Sequence, residues 1–418
     1  MLRIDAREKF EGEFSLPGDK SITHRAIMLN GGAAGEAVIT NALMGEDCLS
    51  TCRCMRALGA KIDRDGTTLR VVGAPKFRRG TELDCGNSGT TIRLLTGYVA
   101  GKGVDATLFG DESLSTRPMG RIAEPLSLLG ANVKTTDGHA PVCVLPTKLY
   151  GADVELKISS AQVKSAVLLA GISADGETRV TEPVKSRDHT ERMLAAMGAE
   201  ISVDGNTVWV KKSVLNATDV CVPSDISSAA YFMALGALKG RTLCKNVGIN
   251  PTRTGILKVF DLLGVKYSLL NVRSSGGEET ADILVEKSDM RAITLTAEDI
   301  PSMIDELPLV ALLCAFADGE TRITGAKELR VKESDRIRTT TELINRLGGD
   351  CQELPDGFVI RGKESLAGGD VDSYLDHRIA MTAAVGMLSS KNGGRILRPE
   401  CCAISFPDFF EKLGIKND

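Results

Sequence analysis

One phrase recurs six times along this 418-residue chain, and a chain built that way folds as similar units that bury one another. The copies read MRALGAKIDRDGTTLRVVG around Gly59, LSLLGANVKTTDG around Gly130, LAAMGAEISVDGNTVWVKK around Gly198, FDLLGVKYSLL around Gly264, INRLGGDCQELPDGFVIRG around Gly348 and FEKLGIKND around Gly414. Their spacings are 71, 68, 66, 84 and 66 residues. The glycine fits the residue just past a helix end, where φ must be positive, and the alternating run after it fits a half-buried strand. Asp-Gly within several copies fits a hairpin turn.

A second apolar helix precedes each phrase, and its start is marked by capping residues: Lys20-Ser21, Ser88-Gly89, Ser159-Ser160, Ser224-Asp225, Asp305 and Asp376-His377. Strand-like segments opening on glycine follow, among them GEAVITNAL, GETRVTEP and GETRITGA. The unit is therefore βαβαββ, an α/β repeat whose helices are apolar on most faces. Residues 274–280, SSGGEET, read as a flexible loop that accounts for part of the longest spacing. The sixth copy stops before its closing strands, and the N-terminal RIDAREKFEGEFSLPG is expected to fold back and supply them. Two three-unit domains fit this better than an open solenoid. The crossovers fall at Gly18-Asp19 and Pro223-Ser224, so one domain is 19–222 and the other is 1–18 with 223–418.

Composition narrows the functional classes. With 43% hydrophobic and 25% charged residues, the chain reads as a globular protein with a substantial core. The charged N-terminus lacks a secretory apolar run, and the longest apolar stretch, Leu307 to Ala317, is too short to span a bilayer. A cytoplasmic protein with no membrane partner is expected. Eleven scattered cysteines read as reduced thiols, and four histidines with no paired Cys/His spacing argue against a metal site. A net charge of −4 and 4% aromatic residues give no footprint for nucleic acid.

Polar residues with chemical potential collect at helix beginnings and in the turn before the second helix of a copy. The first helices bring Lys20, Ser21 and Arg25; Asn87, Ser88, Gly89 and Thr90; Ser159, Ser160 and Gln162; Asp305; and His377-Arg378. The turns bring Arg117, Arg187, Lys332, Glu333 and Arg336. A helix N-terminus presents unpaired N–H groups and the positive end of the dipole, which suits phosphate or carboxylate. Seven cations at equivalent places in a net-negative chain (Lys20, Arg25, Arg117, Arg187, Lys332, Arg336 and Arg378) point to substrates with several negative charges. Each has a plainer reading. Arg25 taken alone is a surface helix residue, Asp305 and Glu333 are ordinary caps, and Arg336 is the i,i+3 partner of Glu333. His24, His139 and His189 read as surface or structural residues. GYVAGKG has the wrong spacing and position for a phosphate loop.

The segments PGDKSITHRA, CGNSGTTIRLL, STRPM, SSAQVKSA, SRDHTE, IDELP, LRVKESDRI and LDHR, in this order, resemble the 5-enolpyruvylshikimate-3-phosphate synthase family from residue 17 to about residue 410. The resemblance implies two inside-out α/β domains joined by two crossovers. It also implies transfer of enolpyruvyl from phosphoenolpyruvate to the 5-hydroxyl of shikimate 3-phosphate, with release of phosphate and no cofactor. Matched residue by residue, Lys20, Ser21, Arg25, Ser160, Ala161, Gln162, Asp305 and Lys332 would contact shikimate 3-phosphate, with Ser159 and Arg187 added. Lys20, Gly89, Arg117, Gln162, Arg336 and Arg378 would contact phosphoenolpyruvate. Asp305 is the candidate base, Glu333 the candidate acid and Lys20 an alternative participant in proton transfer. Closing of the two domains would exclude water, and a monomer is the expected state.

Some relatives carry a lysine before the final Phe-Pro where this chain has Ile404 and Ser405, so that contact has no counterpart here. SAQVKS and SRDHTE resemble the variant called class II, whereas Gly89 is typical of inhibitor-sensitive members, which leaves the glyphosate response open. The sister family that uses UDP-N-acetylglucosamine is a rival, but it places a loop cysteine where this chain has Glu112. A non-catalytic anion-binding scaffold is the remaining alternative, and the joint presence of Lys20, Asp305 and Glu333 weighs against it.

Overall fold

The computed structural model describes residues 1–275 and 277–415. Its six first helices are α1 (Lys20–Gly32), α2 (Gly89–Lys102), α3 (Ala161–Gly171), α4 (Ile226–Lys239), α5 (Leu307–Cys314) and α6 (His377–Ser389). The third copy displays the unit in full. Strand Asp153–Glu155 leads into α3 and then into strand Glu177–Thr181, which pairs with it in parallel. Helix His189–Ala196 and the hairpin Ile201–Asp204 and Thr207–Lys211 then close a four-stranded sheet with antiparallel pairing. The second and fifth copies follow the same order. All six phrase glycines take the predicted positive φ: 117° at Gly59, 85° at Gly130, 90° at Gly198, 85° at Gly264, 88° at Gly348 and 69° at Gly414.

Three expectations are corrected. The N-terminal segment does not supply both closing strands of the sixth copy. Leu2–Ile4 pairs antiparallel with Gly394–Leu397 of that copy, but Phe10–Ser15 runs parallel to Gly240–Gly248 as the opening strand of the fourth. Similarly, Val220–Cys221 opens the sheet of the first copy by pairing with Glu36–Thr40. Both copies begin directly at a helix after a crossover, so their first strand must come from elsewhere. Residues 274–280 are not an open loop: strands Lys266–Ser275 and Glu278–Glu286 run into this segment, while Gly276 lies outside the described residues. Finally, α5 starts at Leu307 after Glu306, leaving Asp305 in the preceding turn.

The chain divides into two compact units, Met1–Pro17 with Pro223–Ser274 and Glu279–Asp418, and Gly18–Val222 with Ser275–Glu278. Gly18 and Ser275–Glu278 thus fall in the unit opposite to the one the sequence reading gave them. A Cβ on Gly18 would sit 1.9 Å from the Asn41 carbonyl oxygen. Glu278 meets His189 Nδ1 at 2.8 Å, and Arg192 donates to the Gly277 carbonyl at 2.7 Å.

Each unit buries its own apolar cluster around three first helices. In the 18–222 unit, α2 and α3 lie so close that a Cβ on Gly97 would come within 2.0 Å of the Ala166 carbonyl oxygen, a spacing only glycine permits. In the other unit every residue of α4 from Ile226 to Ala237 is buried. With their flanks inside, these helices keep only their ends for chemistry.

Candidate functional site

Five of the six first helices are capped by the side chain just before them. Asp19 accepts from Ile22 N at 2.8 Å, Ser88 from Thr91 N at 3.1 Å and Ser160 from Val163 N at 3.4 Å. Asp225 accepts from Ser227 N at 2.8 Å and Asp376 from Arg378 N at 2.9 Å. Glu306, at the cap position of α5, makes no such bond.

In the 18–222 unit the N-terminal turns of α1, α2 and α3 are tied together by their polar side chains. Lys20 Nζ lies 3.3 Å from Asp47 Oδ2. His24 Nδ1 meets Thr51 Oγ1 at 2.7 Å, which meets Thr91 Oγ1 at 2.7 Å, and Thr91 donates to the Ser88 cap at 2.7 Å. Arg25 is buried, contrary to its surface reading. It donates to Thr190 Oγ1 at 2.6 Å, Ser165 Oγ at 2.8 Å and the Ser21 carbonyl at 3.0 Å. Burial holds its pKa down at about 10; Glu191 and Asp19 oppose the shift, and Arg187 adds to it as a neighbouring like charge.

Gly89 opens α2 between two guanidinium groups, for a Cβ there would lie 3.1 Å from Arg93 Nη1 and 3.2 Å from Arg117 Nη1. Arg117 is buried and donates to Asn87 Oδ1 at 2.5 Å. Gln162 accepts from Arg93 at 2.6 Å and donates to Thr90 Oγ1 at 3.0 Å. Ser159 is occupied with its own backbone neighbourhood, donating to the Val184 carbonyl at 2.6 Å and accepting from Val184 N at 2.9 Å. Ala161 is the first residue of α3, and Ser21 lies half-buried in the first turn of α1.

In the other unit, Arg336 is the first residue of helix Arg336–Arg346, one step beyond the turn where the sequence placed it. It is buried and donates to Asp376 Oδ2 at 2.8 Å and to Glu333 Oε2 at 2.6 Å, with Asp305 Oδ1 at 3.5 Å. The expected i,i+3 pair with Glu333 is present, as part of a larger cluster. Burial works against the Arg336 charge, but Asp376 and Glu333 outweigh it and raise the pKa. Arg378, also buried, is raised against burial by Tyr231, Asp305 and Glu306, and its Nε has no hydrogen-bond partner among the described residues. Burial pushes Tyr231 up to about 12. His377 is buried at the start of α6. Lys332 follows a short 3-10 turn, Lys327–Val331.

Exposure separates the carboxylates. Asp376 is sealed at 0% side-chain exposure, whereas Asp305 keeps 19% and Glu333 keeps 20%. A carboxylate needs solvent or ligand access to exchange a proton, and of these three Asp305 and Glu333 keep some exposure. Buried arginines beside them supply fixed positive charge.

Sequence reasoning missed Arg253. It is buried, donates to Asp225 at 3.0 Å and Ser227 at 2.8 Å, and lies 3.9 Å from Asp305. It precedes helix Gly255–Leu263, the place in the fourth copy that Arg117 and Arg187 hold in theirs, so the repeat itself contained the signal. Arg93 was missed as well, and there the sequence shows only an arginine inside a helix.

Comparison with known proteins bears on these arrangements. The family model described as EPSP synthase (3-phosphoshikimate 1-carboxyvinyltransferase) matches residues 4–413. A 3-phosphoshikimate 1-carboxyvinyltransferase of Desulforudis audaxviator is 46% identical over 99% of this chain and 98% of its own length. One from Limosilactobacillus fermentum is 45% identical over 99% and 98%. The solved EPSP synthase of Acinetobacter baumannii superposes with a TM-score of 0.87 at 40% identity, covering 99% of this chain and 97% of that one.

Proposed function

This chain belongs to the EPSP synthase (3-phosphoshikimate 1-carboxyvinyltransferase) family, and we propose that the residues at its helix ends divide the work of that reaction as follows. The protein is a transferase that catalyses enolpyruvyl transfer in the shikimate pathway. Its substrates are shikimate 3-phosphate and phosphoenolpyruvate. Lys20, Ser21, Arg25, Ser160, Ala161, Gln162, Arg187, Asp305 and Lys332 hold shikimate 3-phosphate, and Ser159 supports its neighbours through the Val184 backbone. Lys20, Gly89, Arg117, Gln162, Arg336 and Arg378 hold phosphoenolpyruvate. The unpartnered Nε of buried Arg378 and the two guanidinium groups flanking Gly89 support the anion assignment.

The chemistry follows from where protons must go. The 5-hydroxyl oxygen bonds to the central carbon of phosphoenolpyruvate as Asp305 takes its proton, and the methylene carbon gains a proton from Glu333. Lys20 is the alternative carrier. In the tetrahedral adduct the bond to the phosphate oxygen then breaks, the methyl group returns a proton, the double bond re-forms and phosphate leaves. Arginines beside the carboxylate and phosphate orient the pair and stabilise charge as it develops. The observation that carries this reading is the contrast between partly exposed Asp305 and Glu333 and sealed Asp376 beside one arginine. Eleven free thiols suit a reducing compartment, and we place the protein in the cytoplasm as a monomer. No described helix is long and apolar enough to cross a membrane.

Phosphate release with both substrates is the direct test. Asp305→Ala is expected to lower kcat by about 10²–10⁴-fold, the range for losing a general base, with circular dichroism unchanged. Wild-type turnover in that variant overturns the base assignment. Tight binding of shikimate 3-phosphate by the unmodified protein without turnover favours the scaffold reading instead.

A further inference from the structure

Lys164, one turn into α3, is 1% exposed and meets two buried carboxylates, Glu182 at 2.7 Å and Glu191 at 2.8 Å. Nothing in the reaction described above uses these three groups. Burying three charges is costly, and packed apolar side chains of similar volume serve stability as well or better. A return other than stability is therefore worth seeking in what the three groups hold.

They hold both ends and the middle of one loop. Glu182 directly follows strand Glu177–Thr181, and Glu191 lies in the first turn of helix His189–Ala196. Between them, every polar group of Ser186 is engaged. Its N–H donates to Glu182 Oε2 at 3.2 Å, its hydroxyl donates to Glu182 Oε1 at 2.5 Å, and its carbonyl accepts from Lys164 Nζ at 3.4 Å. The next residue is Arg187. The peptide that launches this arginine is thus fixed from three sides by one ammonium and one carboxylate.

The same network reaches Arg25. Glu191 is the strongest counter-charge acting on that guanidinium, and Thr190, its sequence neighbour, accepts from Arg25 Nε at 2.6 Å. Thr190 and Ser165 share a further bond at 2.6 Å, and Ser165 adjoins Lys164 on α3. Two positive groups of like charge, Arg25 and Arg187, are kept near one another, while two carboxylates and a lysine behind them carry one net negative charge that offsets part of that repulsion.

From this arrangement we infer that Lys164 is a positioning residue: with Glu182 and Glu191 it fixes Arg187 and Arg25 at the spacing that grips shikimate 3-phosphate. The inference rests on the assignment of that substrate to this unit. It differs from a purely structural role because it predicts an effect confined to one substrate.

The test replaces all three charges by neutral groups of similar volume, Lys164→Met with Glu182→Gln and Glu191→Gln, so that no lone buried charge remains. The folded triple variant is expected to show a KM for shikimate 3-phosphate raised by about tenfold or more, the scale of a misaligned charge-assisted contact. Its kcat and its KM for phosphoenolpyruvate stay within about threefold of wild type. A KM for shikimate 3-phosphate like that of the wild type overturns the inference, as does an equal loss for both substrates. If the triple variant does not fold, Ser186→Ala removes one hydroxyl from the same clamp and is read by the same split: a selective rise supports the inference and an unchanged KM overturns it. Calorimetry of the wild type with shikimate 3-phosphate separates the two assumptions. A wild type that does not bind it defeats the substrate assignment, whereas a wild type and variants that bind it alike defeat the clamp.

Discussion

Gly89 leaves room that one added methyl would fill. Its backbone N–H opens α2, and the space a methyl would take is bordered by guanidinium nitrogens of Arg93 and Arg117 at 3.1 and 3.2 Å. Both are ends of flexible side chains, so Gly89→Ala is tolerated by the fold but displaces the two guanidinium groups proposed to hold phosphoenolpyruvate. The variant is expected to raise KM for phosphoenolpyruvate about 3- to 30-fold, the effect of one weakened charge-assisted contact. Its KM for shikimate 3-phosphate stays close to wild type, and steady-state kinetics with each substrate varied in turn checks this; equal shifts in both would refute it. At this scale the sequence was informative about position: Lys20, Arg117 and Arg336 lie at or just before helix starts, as their place in the repeat suggests. It was silent on Lys164, since a lysine in SAQVKSA looks the same whether its ammonium ends in water or between two carboxylates. Arg253 was legible and overlooked.

Helix ends in the 18–222 unit are aligned by a chain of hydroxyl groups that starts at a histidine. His24 on α1, Thr51 on helix Glu46–Leu58, and Thr91 and Ser88 at the start of α2 are all buried and joined by contacts of 2.7 Å. Burial first, then the charges of Lys20 and Arg25, hold the His24 pKa well below its ordinary 6.5, so the folded protein carries it neutral. The unfolded chain takes up a proton near pH 6.5 and the folded chain does not. Stability from this group is therefore complete above pH 6.5 and falls as the pH drops below it, by about 1.4 kcal/mol per pH unit until the folded group itself titrates. Urea titrations between pH 7.5 and 5 are expected to show this limb in the wild type and a shallower one in His24→Gln. Equal slopes would remove His24 from the account. Capping serines and aspartates made five of these helix starts readable. Glu306, which caps nothing with its side chain, is why the start of α5 was misplaced.

At the scale of the molecule, the repeat predicts units and the crossovers decide which pieces can stand alone. Residues 18–222 form one continuous stretch with its own core, completed by Val220–Cys221 from within. That fragment is expected to fold and to unfold cooperatively in urea, without the contacts that Glu278 and Gly277 make to His189 and Arg192. Residues 223–418 without 1–17 lose a strand from two sheets and the buried side chains Leu2, Ile4, Phe10 and Leu16. At about 1.5–3 kcal/mol for each large apolar side chain, that loss rivals the whole stability of a domain. This fragment is expected to lack a cooperative transition by circular dichroism and to regain one when residues 1–17 are restored; a cooperative transition without them would refute the dependence. From its sequence alone the chain determined the βαβαββ repeat, the positive-φ glycines and five capped helix starts, because each is set by residues within one or two turns of one another. Only the tertiary structure decided that the N-terminal strands go to two different copies, that Asp376 is sealed while Asp305 and Glu333 stay partly exposed, and that Lys164 sits between two carboxylates. Strand partners and buried charges depend on contacts between residues far apart in the chain, and the cost of a charge is set by how much water those contacts leave around it.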